Sequence, residues 1–355
     1  MSSSQDYEKA VSGASDEVAD FDDHRKGFVG RLQHALHVTP ALVPLIVLVF
    51  AIALFGILLG SKFFSPFALT LILQQVQIVG VLAAAQTLII LTAGIDLSVG
   101  AIAVFCTVIM GQFSFRYGIP APMSVALGLA VGTGLGAISG WLVSRVKLPP
   151  FIVTLGMWQI VLAANYLYSA NETLRSQDIA EQAAFLQFLG TKIKFGGATF
   201  TFGVVLMVAL VIILAYALRS TAWGRHVYAV GDDPEAAELA GVDVHRTLMS
   251  VYMLAGFICA LAAWVMIGRF SSVSPSASTG VVGNIQAITA VVIGGISLFG
   301  GRGSIVGAFF GALIVGVFEL GLRMAGADPQ WTFMLIGMLI IGAVTVDQWI
   351  RKVTS

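Results

Sequence analysis

The residues of this chain that could do chemistry are the few polar side chains set inside long apolar stretches. They are Gln74, Gln75, Gln77 and Gln86 in one stretch, Asp96 at its break, Gln159 and Asn165 in another, Asn284 and Gln286 in a third, and Glu319 in a fourth. Such groups are costly in an apolar phase, so each needs a partner or a solute. Gln75 and Gln86 are eleven residues apart, about three helical turns, and so share a face. Uncharged amides facing a common cavity suit a neutral, hydroxyl-rich solute; taken residue by residue, bonding of neighbouring helices is the first reading of these amides. Glu319 precedes Arg323 by four residues, the spacing of a helical ion pair. Asp96, within Thr92-Ala93-Gly94-Ile95-Asp96-Leu97-Ser98-Val99-Gly100, is an acid followed by Ser and flanked by two Gly, which suits the end of one helix and the cap of the next. Direct contact with a solute is the alternative for Asp96.

Enzymatic chemistry has no comparable support. The sequence holds no G-x-x-x-x-G-K-[ST], no H-E-x-x-H and no G-x-S-x-G. Gly300-Gly301-Arg302-Gly303-Ser304 has the glycines of a phosphate cradle but no Lys, and reads as a tight turn. His24, His34, His37, His226 and His245 all fall outside the apolar stretches, so they supply neither an intramembrane metal site nor a proton relay. Cys106 and Cys259 lie in apolar runs and read as buried thiols, not as a disulfide framework. We therefore expect no enzyme, no metal and no cofactor bound by this chain. With 19 Lys+Arg against 19 Asp+Glu, no field points to a nucleic-acid partner.

The elements that must position these residues are membrane helices. The chain is 57% hydrophobic and 11% charged, about half the charged share of a soluble protein. Apolar segments fall at 41–60, 68–92, 97–115, 121–144, 150–169, 201–218, 248–269, 284–299, 303–322 and 331–347. The expected fold is an all-α polytopic membrane protein of about ten transmembrane helices, with 41–352 as the membrane domain and lipid around it. Residues 1–40 carry seven acids and no long apolar run; they read as a cytoplasmic tail without a cleavable signal.

A path with a cytoplasmic amino terminus places Lys9, Arg25, Lys26, Arg31, Arg145, Lys147, Arg219, Arg225, Arg246, Arg302, Arg351 and Lys352 inside. It places Lys62, Arg116, Arg175, Lys192, Lys194, Arg269 and Arg323 outside, three of them in the loop at 170–200. That bias has the usual sign. Gly132, Gly136 and Gly140 in the fourth segment, and Gly303, Gly307 and Gly311 opening the ninth, each recur every four residues and predict close helix crossings. An offset of five segments between the two ladders reverses direction, the pattern of an inverted repeat relating segments two to five with seven to ten.

The loop at 219–247 is too polar to cross the membrane. Within it Asp233 is placed to cap a helix that starts at Pro234, and Gly241 to stop it, leaving a helix of about two turns on the inner face. Its segment Glu235-Ala236-Ala237 followed by Gly241 resembles the EAA-type loop of bacterial ABC importer permeases, whose short helix docks into an ATPase subunit. Leu91 to Gly100, Pro149-Pro150-Phe151-Ile152-Val153-Thr154-Leu155-Gly156, Tyr228 to Ala237 and Ala290 to Ser304 resemble the permeases of ribose, xylose and fructose uptake systems. Met157-Trp158-Gln159-Ile160-Val161-Leu162 and Asp328-Pro329-Gln330-Trp331-Thr332 resemble the fructose type within that group.

The resemblance implies an inner-membrane homodimer working with a cytoplasmic ABC ATPase, which holds ATP and Mg, and with a periplasmic sugar-binding protein. It implies that Pro234, Glu235, Ala236, Ala237 and Gly241 couple to the ATPase. Gln75, Gln86, Asp96, Asn165, Asn284 and Gln286 are the candidates to line a translocation path for a fructose- or ribose-like sugar. A branched-chain amino acid permease and a cation-coupled carrier using Asp96 or Glu319 are the alternatives.

Overall fold

The computed structural model describes residues 41–354; the acidic tail expected at 1–40, with His24, His34 and His37, lies outside the described residues. In chain order the elements are α1 (Leu42–Leu59), α2 (Pro66–Leu91), α3 (Val99–Tyr117), α4 (Ala121–Ser144), α5 (Pro150–Ser169) and α6 (Ser176–Gln182). An antiparallel hairpin follows, β1 (Lys192–Phe195) with β2 (Ala198–Thr201), in which Lys192 faces Thr201. Then come α7 (Phe202–Ser220), α8 (Ala222–Asp232), α9 (Pro234–Leu239), α10 (Val244–Phe270), α11 (Ala277–Ile293), α12 (Ile305–Met324) and α13 (Pro329–Thr354).

All ten apolar segments form helices, and among the described residues eight helices are long and apolar enough to cross a membrane. The other two, α11 and the Gln330–Gly342 part of α13, are shorter. The eighth segment begins at Ala277, not at 284, because the polar turn Ser278-Thr279 is its first turn, and it ends before the Gly294-Gly295 turn. Local chemistry sets the other starts in the ordinary way. Ser65 accepts from the Ala68 N–H at 3.1 Å with Pro66 in the first turn of α2, and Asp243 accepts from the Arg246 N–H at 2.9 Å at the start of α10.

Packing follows a two-fold rule. α4 lies along α10 as α12 lies along α2; α3 packs on α10 and α4 as α11 packs on α2 and α12; α5 meets α3 as α13 meets α11. The pairs α2–α10 and α3–α11 map onto themselves. Direction is reversed between the halves. α2 starts beside the hairpin, where Thr70 Oγ1 accepts from the Thr199 N–H, and ends where Leu91 O accepts from the Gly301 N–H next to α8. α10 starts after α9 and ends beside the 184–190 turn that leads to the hairpin. α2 and α10 form the centre: from Val79 to Leu91 every residue of α2 is buried.

The glycine ladders account for two of these crossings. A Cβ on Gly136 would fall on the Tyr252 carbonyl, and one on Gly132 would sit 2.6 Å from Gly256 O, so α4 and α10 touch backbone to backbone. Gly140 meets Met249 and Tyr252 on the same face. In the second ladder Gly307 and Gly311 press on Ala290 of α11 and on Gly294, which caps its end. Gly303 is not part of that face. The Ser304 side chain accepts from the Val306 N–H, so α12 starts at Ile305, and Gly303 sits before it at φ +132 against Ile296.

Candidate functional site

The two breaks that precede α3 and α11 bring the polar candidates into the core. α5 holds both. Thr154 Oγ1 donates to Ile95 O at 3.0 Å and accepts from the Leu97 N–H at 3.2 Å, while Asn165 Nδ2 donates to Pro275 O at 2.9 Å. Eleven residues put these anchors about 16 Å apart along α5, inside a hydrocarbon layer of about 30 Å. Both helices therefore start within the membrane depth and cross at their first turns, Gly100 against Gly280. Asn284 Nδ2 donates to Leu97 O at 3.1 Å and ties α11 to the opposite break. Asp96 Oδ1 accepts from the Ser98 N–H and hydroxyl, both at 2.6 Å, turning the chain into α3. Asn165, Asn284 and Asp96 thus serve backbone in these breaks.

Beside the crossing lies a cavity of about 270 Å³, walled by α2, α3, α10 and α11. That is just below the range of roughly 300–1,000 Å³ usual for small-molecule sites. Its polar lining is Gln75, Ser278, Thr279 and Gln286, its apolar lining includes Phe270, and none of its lining residues is charged. Glu319 stands behind it: Gln75 Nε2 and Gln286 Nε2 donate to Glu319 Oε2 at 3.0 and 3.2 Å, and Arg323 Nη2 pairs with Oε1 at 2.9 Å. The expected Glu319–Arg323 pair is present, but the convergence of two amides on the same carboxylate was not foreseen. Ser278 and Thr279 were missed because they precede the apolar run; the Ser-Ala-Ser-Thr-Gly string is the signal that could have found them. Gln86 does not join Gln75 in the cavity. It is fully buried further along α2, and neither amide atom has a hydrogen-bond partner among the described residues.

The second region is the polar loop. Asp233 accepts from the N–H groups of Glu235 and Ala236 at 2.9 and 3.0 Å, which starts α9 as its sequence dictates. Gly241 at φ +85 ends it, with the Val242 N–H donating to Ala237 O at 3.0 Å. Only Ala237 of α9 is buried, and Leu239 is 91% exposed. Behind α9, α8 buries Val227, Val230 and Gly231, and a Cβ on Gly231 would overlap Leu91 O. Tyr228 donates to Gly303 O at 2.9 Å, and burial pushes its phenol above the ordinary range. α8 thus joins α9 to the end of α2 and to the turn that opens α12.

Residues 68–344 match the family described as branched-chain amino acid transport system / permease component. The chain belongs to this family. Among curated relatives, the permease is 66% identical over 352 residues to a fructose import permease protein of Rhizobium meliloti, covering 99% of this chain and 97% of that one. It is 34% identical to a ribose import permease protein of Escherichia coli K12, over 81% of this chain and 88% of the relative. A xylose transport system permease protein of Haemophilus influenzae is 27% identical over 87% and 96%. No solved structure matches. The permease is thus a multi-pass membrane protein and a transport component, not a catalytic one.

Proposed function

We propose that this permease carries a monosaccharide of the fructose type across the bacterial inner membrane, as the membrane-spanning part of an ATP-driven importer. The observation that carries the reading is the 66% identity, over 99% of the chain, to a fructose import permease. The cavity agrees with it: Gln75, Gln286, Ser278 and Thr279 offer neutral hydrogen-bonding groups and no lining charge. A branched-chain amino acid would bring a carboxylate and an ammonium into a site with no charged lining residue, where Glu319 behind the amides is already paired with Arg323.

In this reading the α9 end is cytoplasmic and the hairpin end periplasmic, with the amino terminus inside. Pro234, Glu235, Ala236, Ala237, Leu239 and Gly241 present α9 to a separate ATPase that holds ATP and Mg, a second permease copy completes the membrane unit, and a sugar-binding protein delivers the solute to the hairpin end. ATPase closure moves α9, and α8 passes the motion to Leu91 and the 300–304 turn. The path past Gln75 and Gln286 then switches access. Uptake in cells depleted of ATP, with the proton gradient intact, tests the energy source and is expected to stop; continued uptake would point to a cation-coupled carrier. A competition panel of monosaccharides and branched-chain amino acids tests the solute, and inhibition by the amino acids alone would overturn the sugar assignment.

A further inference from the structure

The three-way meeting of Gln75, Gln286 and Glu319 fixes more than position. A carboxylate accepts hydrogen bonds and does not donate them, so an amide that touches it must present its nitrogen. Gln75 and Gln286 both do so at the same oxygen, Oε2, and Arg323 occupies Oε1, which keeps the carboxylate from turning. Rotating either amide by half a turn would set two acceptors against each other at about the same separation and forfeit a charge-assisted hydrogen bond. Each glutamine is left with its carbonyl oxygen, and neither Oε1 meets a donor among the described residues, although both side chains line the cavity.

Resting on the reading that the cavity takes the sugar, we infer that Glu319 is a positioning residue that locks the amides of Gln75 and Gln286 with their oxygens toward the solute, making this a site for hydroxyl donors. A free glutamine amide reads donors and acceptors alike. Two locked ones select groups that carry a proton to give. The permease thereby adds its own discrimination to that of any binding protein: a hydroxyl is favoured over a group of similar size, such as fluorine, that cannot donate.

The test compares uptake of the sugar with that of its monodeoxyfluoro analogues in vesicles holding the complete importer, with one and the same binding protein throughout. The binding protein's own preference then cancels between permease variants, and the amount of permease inserted cancels within each ratio. For the hydroxyl that meets the amides, Glu319→Gln, which both donates and accepts and so frees the amides to flip, is expected to shrink the wild-type hydroxyl-to-fluoro ratio by about two- to tenfold, the scale of one hydrogen bond. Glu319→Asp, which keeps an acceptor-only group one methylene further back, is expected to retain more of the ratio than Glu319→Gln. Gln286→Met, which deletes one acceptor and leaves the Glu319–Arg323 pair in place, is expected to shrink the ratio in the same way and serves if Glu319→Gln does not insert. Ratios unchanged from wild type at every hydroxyl, with uptake of sugar and analogue falling in parallel, would reduce Glu319 to a helix-packing role and overturn the inference. Failure of the underlying reading is seen separately, as wild-type vesicles that take up amino acid and no sugar.

Discussion

Replacing Gly136 by Ala adds one methyl group where the structure leaves no room, because its Cβ would lie on the Tyr252 carbonyl with Gly256 Cα 3.2 Å away. Gly134, two residues earlier on the same helix, has nothing within 4 Å of the same position. Both substitutions gain helix propensity, by about 1 kcal/mol each, so that contribution cancels between them. The remaining difference is the cost of forcing α4 and α10 apart, about 1–3 kcal/mol for an overpacked contact. Gly134→Ala should therefore hold or raise the thermal midpoint of the detergent-extracted permease, and Gly136→Ala should lower it. Size-exclusion profiles after heating give both midpoints and the yield of the assembled species. Equal midpoints for the two variants would refute a backbone-to-backbone crossing at Gly136.

Gly241→Asp puts a side chain at φ +85, costing about 1 kcal/mol, and adds charge beside Glu238 and Asp243; the permease should insert normally while sugar uptake and binding-protein-stimulated ATP hydrolysis fall together, with Glu235→Lys a milder version. Retention of both activities in reconstituted vesicles would remove α9 from the coupling route. Single cysteines at Glu181 and Glu238 should react with an impermeant reagent from outside at the first position only, and labelling of both would break the assigned topology. Asn165→Ala strands the Pro275 carbonyl and should cost about 1–3 kcal/mol of stability, read as a lower thermal midpoint, whereas Gln159→Ala on the exposed face of α5 should leave the midpoint unchanged.

What the sequence discloses here follows from what each residue must satisfy locally. Helices such as α2, α4 and α10 are legible because twenty or more apolar residues have one economical arrangement in a bilayer, and α9 is legible because Asp233, Pro234 and Gly241 carry their own geometric requirements. The repeat could be read because glycine spacing survives without knowledge of neighbours. The start of α11 was not legible: Ser276, Ser278 and Thr279 are polar, and it is contacts distant in sequence, Asn165 with Pro275 O, Tyr166 with the Ala277 N–H and Gly100 with Gly280, that hold this turn. The cavity was half legible. Gln75 and Gln286 stood out as amides in apolar runs, but their separation in sequence hides that both reach Glu319, and one-face spacing wrongly joined Gln86 to Gln75. Asn165 and Asn284 stood out for the same reason and proved to hold backbone carbonyls, a distinction that depends wholly on which loop lies opposite.

Both breaks hang from α5, and α5 itself is held along a single stripe, Val153, Thr154, Met157, Val161, Asn165 and Ser169. A rod clasped on one side rocks more easily than it slides. With its two clasps about 16 Å apart, a tilt of about 10° around the midpoint carries Thr154 and Asn165 in opposite directions by about 1.4 Å each. Such a tilt would move the break before α3 and the break before α11 in opposite senses against α5, with the Asn284–Leu97 hydrogen bond and the Gly100–Gly280 crossing left to hold them together.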